Sequence, residues 1–394
     1  MTATPAHPTP APQPGRDIAI VGGGIGGLAA AIALRNAGLD AVVFEQTTQF
    51  ARVGADINLT PNAVRVLDTV GGDLGARLRD GGAQPRFRIS RMWDTGVETS
   101  RIPMGASAEE RYGAPQLTLH RGDLMSAMRD AVPDSWMRMG RRVQTVEFGE
   151  RATLVFDDGT RHDCAVVIGA DGIHSRVRTA MFGPEHPEFT GVVAYRAVLD
   201  REQVAHLPNM DSFTKWWGPD PDTQIVVFPL NRGKEIFVFA TIGQPEWTEE
   251  SWTTRGSVDE LRAAYRDFHP EATALLDACG EVMKSALYVR DPLESWTNSQ
   301  GVLLGDACHP MMPFMAQGAG QAIEDAAVLA RCLATGDDTA TAVFRYQETR
   351  RERTAAIQRG SRSNEWLKEA GNGDWVYEYD AWSEPLGGTA TAHA

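Results

Sequence analysis

Hydrophobic and polar positions change their spacing several times along this chain, and each change predicts a different kind of element. Residues 18–21 form a short continuous apolar run, followed by glycines and by an Ala-rich stretch, 28–36, that Gly38 closes. That order predicts a buried strand, a tight turn and a helix. Val42, Val43 and Phe44 predict the next strand, which ends on Glu45. From 143 to 158 the pattern alternates and runs into Asp157-Asp158-Gly159-Thr160, a hairpin signal. The chain returns through Cys164 to Ile168, and this second apolar strand ends in Gly169-Ala170-Asp171-Gly172.

Between Thr190 and Thr241 the segments 192–198, 213–217, 224–228 and 236–241 read as strands, with Gly218-Pro219-Asp220-Pro221 and Asn231-Arg232-Gly233 as turns. They predict a mostly antiparallel sheet, inserted as a second domain into the first. Helical spacing resumes over 258–268. Val302, Leu303 and Leu304 predict a last buried strand ending in Gly305-Asp306, followed by a helix over 319–333 and an exposed, charge-rich helix from 342 to about 358. There is no internal repeat.

A chain of 394 residues has room for two or three domains and a large core. Its net charge of −14 argues against a nucleic-acid partner, which needs clustered Lys and Arg. No apolar run approaches the roughly 20 residues of a bilayer span, so no membrane association is expected. The Pro/Ala/Thr-rich start lacks a basic region and an apolar core, and reads as a disordered tail over 1–16. Cys164, Cys279, Cys308 and Cys332 show no spacing that suggests zinc or a disulfide framework. A reducing, cytoplasmic location is the expectation.

Gly22, Gly24 and Gly27 supply a G-x-G-x-x-G spacing at the first strand-to-helix turn. In such a turn the first glycine permits the tight bend, the second lets backbone N–H groups approach a pyrophosphate, and the third lets helix and strand pack closely. The diphosphate would sit on the positive end of the helix dipole. Glu45 follows about 20 residues later, where a carboxylate can accept both ribose hydroxyls of an adenosine. No second G-x-G-x-x-G with its strand and acid follows, so a permanent nicotinamide domain is not expected.

Three glycine-and-acid corners thus end three apolar strands: 22–27, 169–172 and Gly305-Asp306. Gly169-Ala170-Asp171-Gly172-Ile173-His174-Ser175-Arg176-Val177-Arg178 and Gly305-Asp306-Ala307-Cys308-His309-Pro310, taken with the first loop, resemble the single-component, FAD-dependent aromatic hydroxylases, the group of p-hydroxybenzoate and salicylate hydroxylases. The likeness runs from Asp17 to about Tyr379. It passes through His120-Arg121-Gly122-Asp123-Leu124, Lys215-Trp216-Trp217, Ala316-Gln317-Gly318-Ala319 and Ala322-Ile323-Glu324-Asp325-Ala326.

The resemblance implies an α/β fold: a Rossmann-like FAD-binding domain (17–182 and 286–360), an inserted, mostly antiparallel substrate domain (183–285) and a C-terminal segment (361–394). It implies non-covalent FAD, a transient visit by NADH or NADPH, and O₂ as co-substrate. A small aromatic carboxylic acid would be hydroxylated through a flavin C4a-hydroperoxide. Oxidative decarboxylation, as in salicylate hydroxylase, is the alternative within enzymes; a non-catalytic flavin-binding sensor or carrier is the alternative outside them. A halogenase is disfavoured, because Lys215-Trp216-Trp217-Gly218 does not supply the W-x-W-x-I-P motif.

Site residues follow from the same resemblance. Gly22, Gly24, Gly27 and Glu45 would hold the adenosine diphosphate half, with Arg121 near the diphosphate and Asp171 at a turn beside it. Asp306 would accept a ribityl hydroxyl, and the turn from Pro313 through Gly318 and Ala319 would present N–H groups to the flavin ring. Asp171 and Arg178 could equally cap and brace a helix. His309 and Pro313 are the catalytic candidates, against the commoner case of a loop histidine bonded to backbone. Asn58, Tyr195, Phe213, Trp217, Gln224, Val226, Phe228 and Phe314 are candidates for the substrate wall, although alternating strand aromatics are often core. Asn58 and Phe314 stand where hydroxypyridine-oxidising members carry histidine, which favours a hydroxybenzoate or amino-hydroxybenzoate over a hydroxypyridine carboxylate. His120 could orient Arg121, and His174 could serve a helix start. Cys308 reads as an inert buried thiol. No metal-ligand motif is present, and no G-x-S-x-G turn.

Overall fold

A computed structural model describes residues 17–50, 56–247, 254–368 and 373–387. The tail expected over 1–16 lies outside them. Among the described residues, five strands form a wholly parallel sheet in the order Gly301–Leu303, Val166–Gly169, Ile18–Val21, Ala41–Glu45, Met137–Met139. Ile18–Val21 is central and buried along its whole length, as its unbroken apolar run requires. Helix Ile25–Asn36 packs against helix Gly318–Leu333 over this sheet. The three glycine-and-acid corners therefore leave the same edge of three neighbouring strands, where α/β sheets bind their ligands. The hairpin at Asp157-Asp158-Gly159-Thr160 is formed, joining Ala152–Phe156 to Arg161–Cys164.

A second sheet runs in the order Arg255–Gly256, Val282–Val289, Glu188–Asp200, Glu235–Gly243, Gln224–Leu230, Phe213–Trp217, Phe87–Met92, Glu98–Pro103. Its pairs are antiparallel except Phe213–Trp217 with Phe87–Met92. The α/β fold with one parallel and one mostly antiparallel sheet is as expected. Segment membership differs, because 87–103 joins the second sheet although it precedes 183 in the chain. The reason is local: Arg88 and Ile89 pair in register with Phe213 and Thr214, so the hairpin 87–103 extends the sheet edge. Strand Val282–Val289 likewise runs past the expected boundary at 285.

Alternation gives this sheet two different faces. Tyr195, Trp216, Ile225, Val227, Ile236 and Val238 pack with Leu261, Tyr265 and Leu275 of the segment 258–277. Phe213, Val226, Phe228, Phe237 and Phe239 face the other way and meet Met312 and Phe314, from the loop after Gly305-Asp306.

Helix Thr339–Ser363 is charge-rich and exposed on one side, as expected, but its other side is buried. Tyr346, Arg350, Arg353, Thr354 and Ile357 are buried along one side. Its arginines neutralise Glu324 and Asp325, which stand on the buried helix Gly318–Leu333. No helix among the described residues is long and apolar enough to cross a membrane.

Candidate active site

At the first corner, Gly22 has φ +103°, and a Cβ there would lie 2.4 Å from the Ala170 carbonyl oxygen. A Cβ on Gly27 would lie 1.9 Å from the carbonyl oxygen of Gly22. Close packing thus excludes side chains at both positions. Gly24 differs: a Cβ there would meet nothing within 4 Å. It caps helix Ile25–Asn36 and faces open space at the helix N-terminus, where unpaired N–H groups and the dipole attract a phosphate. Glu45 is held by two N–H donors, Gly23 at 2.6 Å and Thr47 at 2.8 Å, and its remaining lone pairs face a groove shared with Gly22, Gly24 and Arg141. These features fit the adenosine diphosphate half of a dinucleotide.

The second corner is braced from within. Asp171 accepts from the Ser175 hydroxyl (2.5 Å) and from the N–H groups of Arg176 (2.7 Å) and Val177 (3.2 Å), so its carboxylate caps the following helix while lining the same groove. Burial raises its pKa against those bonds. Buried Arg178 donates to the carbonyls of Ile173 and Ala307, each at 3.0 Å, and ties this corner to the third. His174 also lines the groove.

At the third corner Asp306 is open to a deep cleft yet walled by protein. Burial raises its pKa, opposed by the charges of His309 and Arg121. Arg121 opens helix Arg121–Asp130, which the His120 ring caps by accepting from the Gly122 N–H at 3.1 Å. Beyond Asp306, Pro313–Met315 makes a single turn. Ala316 is left-handed at φ +56°, and Gly318 and Ala319 begin the next helix with first-turn N–H groups that lack intrahelical acceptors.

From these loops a cavity of about 400 Å³ runs to the aromatic face of the second sheet. Of the expected substrate wall, Asn58, Phe213, Gln224, Val226, Phe228 and Phe314 line it, as does Pro313. Phe213 and Phe228 stack with centroids 5.1 Å apart. Tyr195 does not line it, because its strand position points to the opposite face. Trp217 does not either: the Lys215 Nζ sits 3.5 Å from its ring centroid.

His309 is also turned away. It is buried against Trp296 with Nε2 2.5 Å from Asp325 Oδ2, so a carboxylate rather than backbone or substrate holds it. Cys308 is buried, and desolvation pushes its thiol well up from the ordinary value.

Several residues of the cavity were not picked out as site residues from sequence: Asp56, Arg88, Arg196, Lys215, Phe237 and Phe239. For Lys215 and Arg196 the signal was a charge within an otherwise apolar strand, as in Lys215 before Trp216-Trp217. Lys215 donates to Asn364 Oδ1 at 2.6 Å. Burial drives its pKa well down, and repulsion from Arg88 and Lys368 adds to this. Arg88 lies 4.8 Å from the Phe213 ring centroid, and its Nη1 has no hydrogen-bond partner. Both amide atoms of the Gln224 side chain are likewise buried without a partner. Among the described residues no His, Cys, Asp and Glu cluster could hold a metal ion.

A family model described as FAD binding domain matches residues 16–361. The chain belongs to this family, the FAD-dependent aromatic monooxygenases. The flavoprotein is 40% identical over 373 residues to 6-hydroxynicotinate 3-monooxygenase of Bordetella bronchiseptica, covering 94% of this chain and 96% of that one. It is 36% identical to a 3-amino-4-hydroxybenzoate 2-monooxygenase of Streptomyces platensis, covering 88% and 86%. A Klebsiella pneumoniae HpxO variant complexed with FAD superimposes with a TM-score of 0.78 at 25% identity, covering 90% of each chain. The flavoprotein is thus an FAD-binding aromatic monooxygenase.

Proposed function

We propose that this flavoprotein hydroxylates a hydroxybenzoate or amino-hydroxybenzoate, using NADH or NADPH and O₂. The carrying observation is the polar end of the aromatic cavity: Arg88 and Lys215 are buried together, and unpartnered Gln224 lines the same wall. An anion entering beside Arg88 and Lys215 offsets their repulsion and favours the charged form of Lys215 that burial opposes, so a carboxylate is the favoured guest. Phe213, Phe228 and Phe314 supply flat apolar surface for its ring. Asn58, Gln224, Phe228 and Phe314 offer amides and phenyl groups rather than imidazoles.

FAD would be held by Gly24 and the helix behind it, Glu45, Arg121, Asp306 and the first-turn N–H groups of Gly318 and Ala319. When bound it supplies the redox chemistry, taking a hydride from the nicotinamide and activating O₂. The protein's own part is to anchor the carboxylate, hold the ring against the sheet and exclude water behind Met312 and Phe314. One NAD(P)H, one proton and one O₂ yield hydroxylated acid, NAD(P)⁺ and water.

The test is NAD(P)H oxidation with and without a panel of hydroxylated and aminated benzoates and pyridine carboxylates, followed by product mass spectrometry. A benzoate should stimulate consumption and emerge hydroxylated with its carboxylate kept. Loss of CO₂ would select oxidative decarboxylation instead. No stimulation by any acid, with FAD bound and both reductants tried, would favour a flavin carrier. Lys215→Met should weaken acid binding by about 1.5 to 3 kcal/mol, the worth of a charged hydrogen bond, and raise KM more than it lowers kcat. Asp306→Ala should weaken FAD binding by about the same amount through loss of a ribityl contact. An unchanged FAD dissociation constant would remove that role.

A further inference from the structure

Electrophilic attack on a hydroxyarene is fastest on its phenolate, so the cavity that holds the ring needs a group to take the hydroxyl proton. Among the described residues that line it, Arg88, Arg121, Arg196 and Lys215 are cationic and Asp56 and Asp306 are acidic. No histidine, tyrosine, cysteine or glutamate lines it. His309 is committed to Asp325. Asp306 stands on the Gly305-Asp306 loop, where it would accept the ribityl hydroxyl, and the Lys215 amine donates to Asn364 at the anion end. Asp56 is the remaining acceptor, directly before strand Ile57–Leu59, with its neighbours Ile57 and Asn58 on the same cavity wall.

We propose that Asp56 is the general base that takes the ring-hydroxyl proton of the aromatic acid. This rests on the substrate reading above. The O–H bond breaks with its electron pair left on the substrate oxygen, Asp56 becomes a neutral carboxylic acid, and the proton leaves to solvent as product departs. Among the described residues, two charged groups face Asp56 from the elements around it: Arg196 of strand Glu188–Asp200 and Arg121 of helix Arg121–Asp130. Burial raises the Asp56 carboxyl to about 6, while Arg196 and then Arg121 pull it down. It is therefore ionised at neutral pH yet basic enough to accept a proton. Arg196, whose Nη1 lies 2.5 Å from Ser285 Oγ and whose guanidinium is 5.3 Å from the Phe239 ring centroid, would face the new phenolate.

Ultraviolet difference spectra of a hydroxybenzoate bound to the oxidised FAD-containing enzyme report phenol or phenolate without turnover. In the wild type the phenolate band should grow in as pH rises through about 6, and kcat/KM should rise over the same interval. Asp56→Asn should keep its FAD, hold the ligand as phenol at neutral pH and lose about 100-fold in kcat. Asp56→Glu should restore the phenolate band. A wild-type ligand that stays phenol from about pH 5.5 to 8 overturns the proposal even if no variant folds. So does an Asp56→Asn enzyme with unchanged spectrum and kcat. Either result leaves the monooxygenase reading standing, whereas absence of stimulated NAD(P)H oxidation in the wild type would bring down both.

Discussion

Gly24→Phe is expected to give folded, colourless protein. A Cβ at Gly24 would meet no atom within 4 Å, so the backbone should tolerate a side chain there, yet that side chain would fill the space in front of the helix N-terminus. Visible absorbance per mole of protein after reconstitution reads the loss of FAD, and circular dichroism with a thermal melt reads the fold. The contrast is Gly22→Phe. There a Cβ would lie 2.4 Å from the Ala170 carbonyl oxygen, in a left-handed backbone that side chains rarely adopt, so folding itself should fail. A fully yellow Gly24→Phe protein would refute the cradle.

Arg350→Met should destabilise the protein by about 3 to 5 kcal/mol, because it strands buried carboxylates. Arg350 is fully buried, donating to Asp325 Oδ1 (2.8 Å), Glu324 Oε2 (2.6 Å) and Gln321 Oε1 (2.7 Å). Asp325 in turn accepts from the Gly305 N–H at 3.1 Å and contacts His309, so the same network sets the corner that carries Asp306. Urea unfolding monitored by tryptophan fluorescence measures the loss, and FAD retention measures the loosened corner.

The pH dependence has a definite sign. Burial pushes the Asp325 carboxyl up, but His309 and Arg350 outweigh it and hold it at about 2, below the ordinary value of 3.8. The stabilisation it contributes is present above about pH 4 and lost as pH falls towards 2. Without Arg350 that carboxyl rises, so acid unfolding should begin at a higher pH than in the wild type. Equal acid midpoints would deny Asp325 its charge pairing with Arg350.

The parallel sheet was legible because its strands are continuous apolar runs, each ending in a glycine turn of distinctive spacing. The strands at 213–217 and 224–228 were equally legible as short apolar and aromatic segments between turn residues. The face each side chain occupies was not. Tyr195 and Arg196 are neighbours on one strand, yet Tyr195 enters the helix-covered core while Arg196 reaches the cavity, because successive residues point to opposite sides. His309 shows the same limit, since a buried carboxylate sixteen residues on claims its ring.

Spacing of glycines, acids and apolar runs along the chain was thus enough to establish a dinucleotide cradle and an inserted sheet, since those signals depend on local backbone geometry. Packing alone decided that 87–103 joins that sheet, that one side of the helix 339–363 is buried, and that Arg88, Lys215, Gln224 and Asp56 share one cavity. Charges far apart in the chain become a site only when strand pairing and desolvation bring them together away from water.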